Sequence, residues 1–128
     1  MKLMKESKLI FYLDKDSSDL YFTRKAINSL GHRVNAFLNG YQMLQALRNC
    51  AEQPDLIFLD IDMPILNDEE ILNVIKNSDY FKHIPIVIVS VAYPKKLVRH
   101  LVKNGANHLI KKTRYAELKI ALAPIFLN

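Results

Sequence analysis

The sequence is poor in cysteine and glycine, and it has no long apolar run. Cys50 is its one cysteine. That excludes a disulfide-stapled scaffold and fits a reducing compartment, where a lone cysteine is expected as a small buried hydrophobe. The longest apolar stretch, Ile84 to Tyr93, is interrupted by Pro85 and Ser90 and falls well short of the ~20 residues a spanning helix needs. The N-terminus, Met-Lys-Leu-Met-Lys-Glu, lacks the apolar core of a secretory signal. No membrane association is expected, and the expected location is cytoplasmic. With three glycines in all, no Ser/Thr/Gly-rich phosphate loop follows the first apolar run, which disfavours a flavin site. No repeat, low-complexity tract or linker divides the chain. One domain is therefore expected over residues 1–128, with no second domain.

What is present is an ordinary globular composition. Half of the 128 residues are hydrophobic and 24% are charged, which excludes disorder for most of the chain. Eighteen Lys+Arg against thirteen Asp+Glu give a net +5. That balance permits an acidic partner or nucleic acid and requires neither.

Three segments, Leu9–Leu13, Leu56–Ile61 and Ile84–Val91, are nearly continuous runs of Ile, Leu, Val, Phe and Tyr. Unbroken runs of this length predict strands buried on both faces of a parallel sheet. Arg33–Leu38 alternates in part and ends at Asn39-Gly40, which predicts an edge strand and a turn. A short fifth strand is predicted over Asn107–Lys111. Helical spacing fills the gaps. Ser17 or Ser18 caps a helix running to Leu30, and Tyr41, Met43, Leu44 and Leu47 mark a second. Asn67 or Asp68 caps a third, Pro94 opens a fourth that Gly105 closes, and Thr113 caps a fifth that Pro124 ends or kinks. Strand and helix alternate five times, which predicts an α/β fold with right-handed crossovers and helices on both faces of the sheet.

Ligands of open α/β sheets bind beyond the carboxyl ends of the strands. Asp14, Lys15 and Asp16 follow the first predicted strand, and Asp60 and Asp62 close the third. Ser90 lies at the end of the fourth, and Lys111 and Lys112 at the end of the fifth. Carboxylates, a hydroxyl and ammonium groups thus converge on one edge.

Four segments carry a family resemblance. They are Leu13-Asp14-Lys15-Asp16-Ser17-Ser18-Asp19, the run from Pro54 to Pro64, Ser90, and Gly105 to Lys111. The most specific is Asp60-Ile61-Asp62-Met63-Pro64, an aspartate followed after two residues by Met-Pro. Over essentially its whole length the chain resembles the receiver domain of two-component response regulators. The resemblance implies a doubly wound, flavodoxin-like (βα)5 sheet in strand order 2-1-3-4-5. It implies Asp60 as a phosphoacceptor attacking a phosphohistidine, Lys111 as the cation on a phosphoryl oxygen, and Ser90 as a hydroxyl that moves toward the phosphoryl group. Asp14, Asp60 and the backbone carbonyl of Asp62 would hold Mg²⁺. The implied partners are a sensor histidine kinase or histidine phosphotransfer protein and a downstream protein, for a monomer or a phosphorylation-linked homodimer. No enzymatic turnover is implied beyond self-phosphorylation and slow self-dephosphorylation.

The chain departs from the family pattern at several positions. Lys15 replaces the second metal-binding carboxylate, a swing of two charge units. One unit pair at short range is worth about 4 kcal/mol at a surface-like dielectric, so Lys15 disfavours Mg²⁺. Either its ammonium replaces the metal, or its stem turns outward and Asp16 reaches in as a ligand. Ile65 to Asp68 contains no glycine, Val91 stands where a small alanine is frequent, and Lys112 replaces a proline. His108 stands where a switch Tyr or Phe is usual.

The positive charge is concentrated. Lys95, Arg99 and Lys103 recur every four residues, and Lys112 lies on the same side of the expected fold. This face suits an acidic protein partner. Nucleic acid is disfavoured, since there is no helix-turn-helix segment and no aromatic residue interleaved with the stripe. The main alternative function is a pseudo-receiver, a phosphorylation-independent binding module with an impaired metal site. A phosphatase of the haloacid-dehalogenase type also matches Asp60-Ile61-Asp62, but that motif belongs after a first strand and the chain is too short for the cap.

Overall fold

The computed structural model describes residues 7–60, 68–112 and 115–126. Strands and helices alternate: β1 (Leu9–Leu13), α1 (Ser17–Ser29), β2 (Arg33–Phe37), α2 (Gly40–Asn49), β3 (Leu56–Asp60), α3 (Asp68–Lys76), β4 (Ile86–Ser90), α4 (Lys95–Lys103), β5 (His108–Lys111) and α5 (Tyr115–Phe126). The strands form one parallel sheet in the order β2-β1-β3-β4-β5. This is the doubly wound, flavodoxin-like arrangement expected above.

Side chains alternate across a strand with period two, and here both faces are apolar. Leu9, Phe11 and Leu13 of β1 join Ile57, Leu59, Ile86 and Ile88 in a core completed by Met43, Leu44, Leu47, Ile71, Leu72, Ile75 and Leu101, so α2, α3 and α4 cover that face. Ile10 and Tyr12 join Phe58, Val87, Val89 and Ile110 in a second core under α1 and α5, completed by Leu20, Ile27, Leu118 and Leu122. Every residue of β1, β3 and β4 is buried, whereas β2 exposes Arg33 and Asn35. Continuous apolar runs thus became central strands, and the partly alternating one became an edge.

Helix ends follow local hydrogen bonding. Asp16, rather than Ser17 or Ser18, caps α1, its carboxylate accepting from Ser18 N–H (2.8 Å) and Asp19 N–H (3.0 Å). Asn39 caps α2 in the same way. Pro94 is the N-cap of α4 and offers no side-chain acceptor. α5 continues through Pro124 to Phe126. Asn67 and Thr113 lie outside the described residues. Cys50 is half-buried just past α2.

Lys76 ties down the amino ends of β4 and β5. Its ammonium donates to the carbonyls of Lys82 and Ile84 and to Asn107 Oδ1, while Asn107 Oδ1 also accepts from Ile86 N–H at 2.8 Å. Burial pushes the Lys76 ammonium below its ordinary pKa. Its stem crosses Gly105, whose φ is +103°, and a Cβ there would meet Lys76 Cγ at 2.9 Å. Gly31 has φ +92° with nothing within 4 Å of such a Cβ. Gly31→Ala therefore isolates backbone strain, about 1–2 kcal/mol. Gly105→Ala is expected to cost more, because it also displaces the Lys76 stem. Urea denaturation of both variants checks the order, and equal losses would refute it.

Candidate functional site

The carboxyl edge of the sheet collects charge through strand parity. Asp60, the last residue of β3, lies two residues beyond Phe58, and Asp14 lies two beyond Tyr12. Lys112 lies two beyond Ile110. Tyr12, Phe58 and Ile110 all belong to the core under α1 and α5, so the three charged side chains are aimed to that side. Asp14 and Asp60 are fully buried. The Lys112 ammonium sits 3.1 Å from Asp14 Oδ2, 3.2 Å from Asp60 Oδ1 and 2.9 Å from Asp19 Oδ2, with its side chain 12% exposed. Asp19 comes from the first turn of α1. The backbone N–H of Lys112 donates to Ser90 C=O at 2.8 Å, extending the β4–β5 ladder by one residue and fixing where the lysine begins.

Asp14 is held from several sides. The Tyr12 hydroxyl donates to its Oδ2 at 2.6 Å, and Asp16 N–H donates to its Oδ1 at 3.0 Å. Burial, and then the charge of Asp14, push the Tyr12 phenol well above its ordinary pKa. Burial alone would lower the Lys112 pKa. The hydrogen bond to Asp19 and the charges of Asp14 and Asp60 outweigh it, and the net shift is upward.

The lysine assignment changes by one residue. Lys111 is exposed and shares its parity with Leu109, which packs on the α2–α4 face, so it points away from the carboxylates. Lys112 takes the position expected of Lys111, and for the same reason it does not stand on the outer partner face. His108 does not reach the site. It begins β5 opposite Val87, about 10 Å of strand short of the edge at 3.3 Å per residue. Lys15 is exposed, and Asp16 spends its carboxylate on the α1 cap, so neither enters the cluster. Ser90 is buried at the end of β4, its hydroxyl donating to Ala92 C=O (3.0 Å) and accepting from Ala92 N–H (3.3 Å). Lys95, Arg99 and Lys103 are exposed on α4 as expected. Asp62, with its carbonyl, lies outside the described residues.

Tyr12, Asp19 and Tyr93 are site or near-site residues that sequence reasoning did not single out. Counting by two from Asp14 would have found Tyr12. A first-turn acid opposite a basic strand end would have found Asp19. Tyr93 bonds to main-chain carbonyls, which leave no mark in a sequence. Elsewhere, a cleft of about 500 Å³ lined by Leu47, Arg48, Cys50, Gln53, Ser78, Tyr80 and Phe81 lies at the opposite, amino edge of the sheet.

A family model described as the response regulator receiver domain matches residues 10–123. Among curated proteins, the chain is 25% identical over 105 residues to the polar-differentiation response regulator DivK of Brucella anthropi, covering 82% of this chain and 84% of DivK. It is 27% identical over 104 residues to the sensor histidine kinase CheAY of Helicobacter pylori, covering 81% of this chain and 13% of that protein. Other curated relatives, like CheAY, are much longer than the segment they share with this chain, which spans 11–20% of their length. Among solved structures, the phosphorylated cyanobacterial phytochrome response regulator RcpA superposes with a TM-score of 0.82 at 26% identity, over 94% of this chain and 91% of RcpA.

Receiver domains generally bind Mg²⁺ or Mn²⁺, and the donors here fit such an ion poorly. A hard divalent cation takes six or more oxygens. Both oxygens of Asp14 already accept hydrogen bonds, a buried ammonium touches Asp14 and Asp60, and position 15 carries a lysine. Among the described residues no group of three His, Cys, Asp or Glu is arranged to hold a metal.

Tyr12 and Lys112 both hold their protons more tightly in the folded chain than in the unfolded one. Their contribution to stability is complete below about pH 10, where the unfolded phenol and ammonium begin to titrate, and is lost as pH rises toward the folded values. The denaturation midpoint is therefore expected to fall above that pH, less steeply in Tyr12→Phe and Lys112→Met. Near neutrality Tyr12→Phe is expected to cost about 1–3 kcal/mol, the price of a buried carboxylate losing a donor. Identical slopes in all three proteins would refute the linkage.

Proposed function

The chain belongs to the response regulator receiver domain family, and on that premise we propose that Asp60 is its phosphoacceptor. The observation that carries this reading is the placement of Asp60, buried at the carboxyl end of a central strand with the Lys112 ammonium 3.2 Å from its Oδ1. An Asp60 oxygen attacks the phosphorus of a phosphohistidine on a histidine kinase or phosphotransfer protein. The P–O bond forms as the P–N bond breaks, and the donor imidazole keeps the electron pair. Positioning and charge neutralisation do most of the work in such a transfer. Lys112 neutralises the phosphoryl oxygens. The Ser90 hydroxyl, one residue beyond the Asp60–Val89 pairing, supplies a hydrogen bond. No step is assigned to a divalent ion. The chain passes on a state rather than turning over a substrate.

The readout surface is α4. Lys95, Lys96, Arg99 and Lys103 are exposed on it, and the helix contains no acidic residue, which suits an acidic protein surface. Among the described residues no helix is long and apolar enough to cross a membrane. A second reading, a binding module that works without phosphorylation, is favoured by Lys15 and by the poor fit to a metal. It differs in one outcome: Asp60→Asn would leave partner binding unchanged.

Incubation with a small acyl phosphate, read by intact-mass spectrometry, tests the first reading. The wild-type chain is expected to gain one phosphoryl group and Asp60→Asn none. Lys112→Met is expected to slow labelling by at least about tenfold, the effect of removing one preorganised charge contact, while Lys111→Met labels like the wild type. Labelling that survives Asp60→Asn, or no labelling in the wild type, would overturn it.

A further inference from the structure

The amino edge of the sheet, opposite the charged cluster, holds a cleft of about 500 Å³. That volume lies within the ~300–1,000 Å³ usual for sites that take small organic ligands. One side is the end of α2, with Leu47, Arg48 and Cys50, continued by Gln53 ahead of β3. The other is the connection from α3 to β4, with Ser78, Tyr80 and Phe81. Leu47 is buried, and Cys50 and Phe81 pack on the same core, so much of the lining is apolar. Tyr80 is 78% exposed, and its ring centroid lies 6.4 Å from that of Phe81. Two aromatic rings thus stand at the cleft, one of them open to solvent.

Hydrogen bonds set the walls in advance. Gln53 Nε2 donates to Tyr80 C=O at 3.3 Å, and Tyr80 N–H donates to Ser78 Oγ at 3.2 Å. Ser78 C=O accepts from Phe81 N–H at 3.2 Å and from Lys82 N–H at 2.9 Å. The main chain of Tyr80 is therefore tied to both sides of the cleft, and a ligand need not order the loop that receives it. Arg48 is the one charged residue of the lining. Among the described residues no ion pair engages it. Three acids of the flanking connections already have partners. Glu52 accepts from both terminal nitrogens of Arg33 at 3.0 and 2.9 Å, Asp79 pairs with Lys82 at 3.1 Å, and Asp55 accepts from Leu9 N–H at 2.9 Å. A guanidinium offers a planar fork of donors that matches a carboxylate. The end of α2 carries about half a negative charge, which the full charge of Arg48 outweighs. We propose that this cleft binds a small organic acid, its carboxylate on Arg48 and its aromatic or branched body against Leu47, Tyr80 and Phe81. The site lies at the other edge of the sheet from Asp60 and does not depend on the phosphoacceptor reading.

Titration of the full chain with 3-phenylpropionate tests it, and Cys50, the one cysteine, reports occupancy. Amide chemical shifts are expected to move at residues 47–53 and 78–81 and to stay fixed at Asp14, Asp60 and Lys112. With probe at about ten times its Kd, alkylation of Cys50 by iodoacetamide is expected to slow about tenfold, by mass action. Arg48 is exposed, so Arg48→Gln is expected to fold normally and to weaken binding at least about tenfold, the effect of losing a hydrogen-bonded charge. 3-Phenylpropionamide, which has the same body and no charge, is expected to bind wild type and Arg48→Gln equally weakly. Acetate, which has the charge and no body, is expected to leave the cleft amides unmoved. Equal affinity of Arg48→Gln and wild type for 3-phenylpropionate would overturn the proposal. So would an absence of shifts at the cleft, or tighter binding of phenethylamine, which would mark the helix end as a site for cations.

Discussion

Two carboxylates are buried completely at the edge of this sheet, and one ammonium makes that tolerable. Removing a carboxylate from water costs several kcal/mol per ion unless a partner and further hydrogen bonds compensate. Lys112 supplies the partner to both Asp14 and Asp60, and Tyr12 and the Asp16 N–H supply hydrogen bonds. The lysine also reaches Asp19. A single side chain thus joins material from β1, β3, the end of β5 and α1. Its own place is set by the backbone, through the N–H that Ser90 C=O receives. The buried charge depends on the register of β4 and β5, and the local geometry of the site depends on the buried charge.

Much of the fold was legible in the residues. The apolar runs Leu9–Leu13, Leu56–Ile61 and Ile84–Val91 read as strands covered on both sides, and β1, β3 and β4 within them are buried throughout. The partly alternating Arg33 segment read as an edge, and it is. The order of the strands was not in the periodicity at all. It came from the family resemblance. Helix starts were less legible, because a side chain such as Asp16 is recruited by whichever backbone N–H groups come within reach, and Ser17 and Ser18 offer similar chemistry one and two residues later.

The site was legible in its residue types and not in its register. Asp14, Asp60 and Ser90 are buried at the carboxyl ends of β1, β3 and β4. Two consecutive lysines at the end of a strand, however, cannot be told apart by type. The alternation of β5, with Ile110 buried and Lys111 exposed, decides that Lys112 turns inward. A similar count places His108 at the wrong end of its strand. Lys15 is exposed and does not stand in for a cation; the ammonium among the carboxylates is Lys112.

The sheet separates two groups of residues that a linear sequence interleaves. Asp14, Asp60 and Lys112 follow the parity of the face under α1 and α5. Ser90 shares its parity with Ile86 and Ile88, and Tyr93 packs in that same core, on the face of α2, α3 and α4. The three buried charges thus lie on one side of a single layer of backbone, and Ser90 stands at its edge, one residue beyond the Asp60–Val89 pair. Lys112 N–H donates to Ser90 C=O, so the backbone that fixes the lysine on one side also carries the hydroxyl on the other, and the two sides share one register.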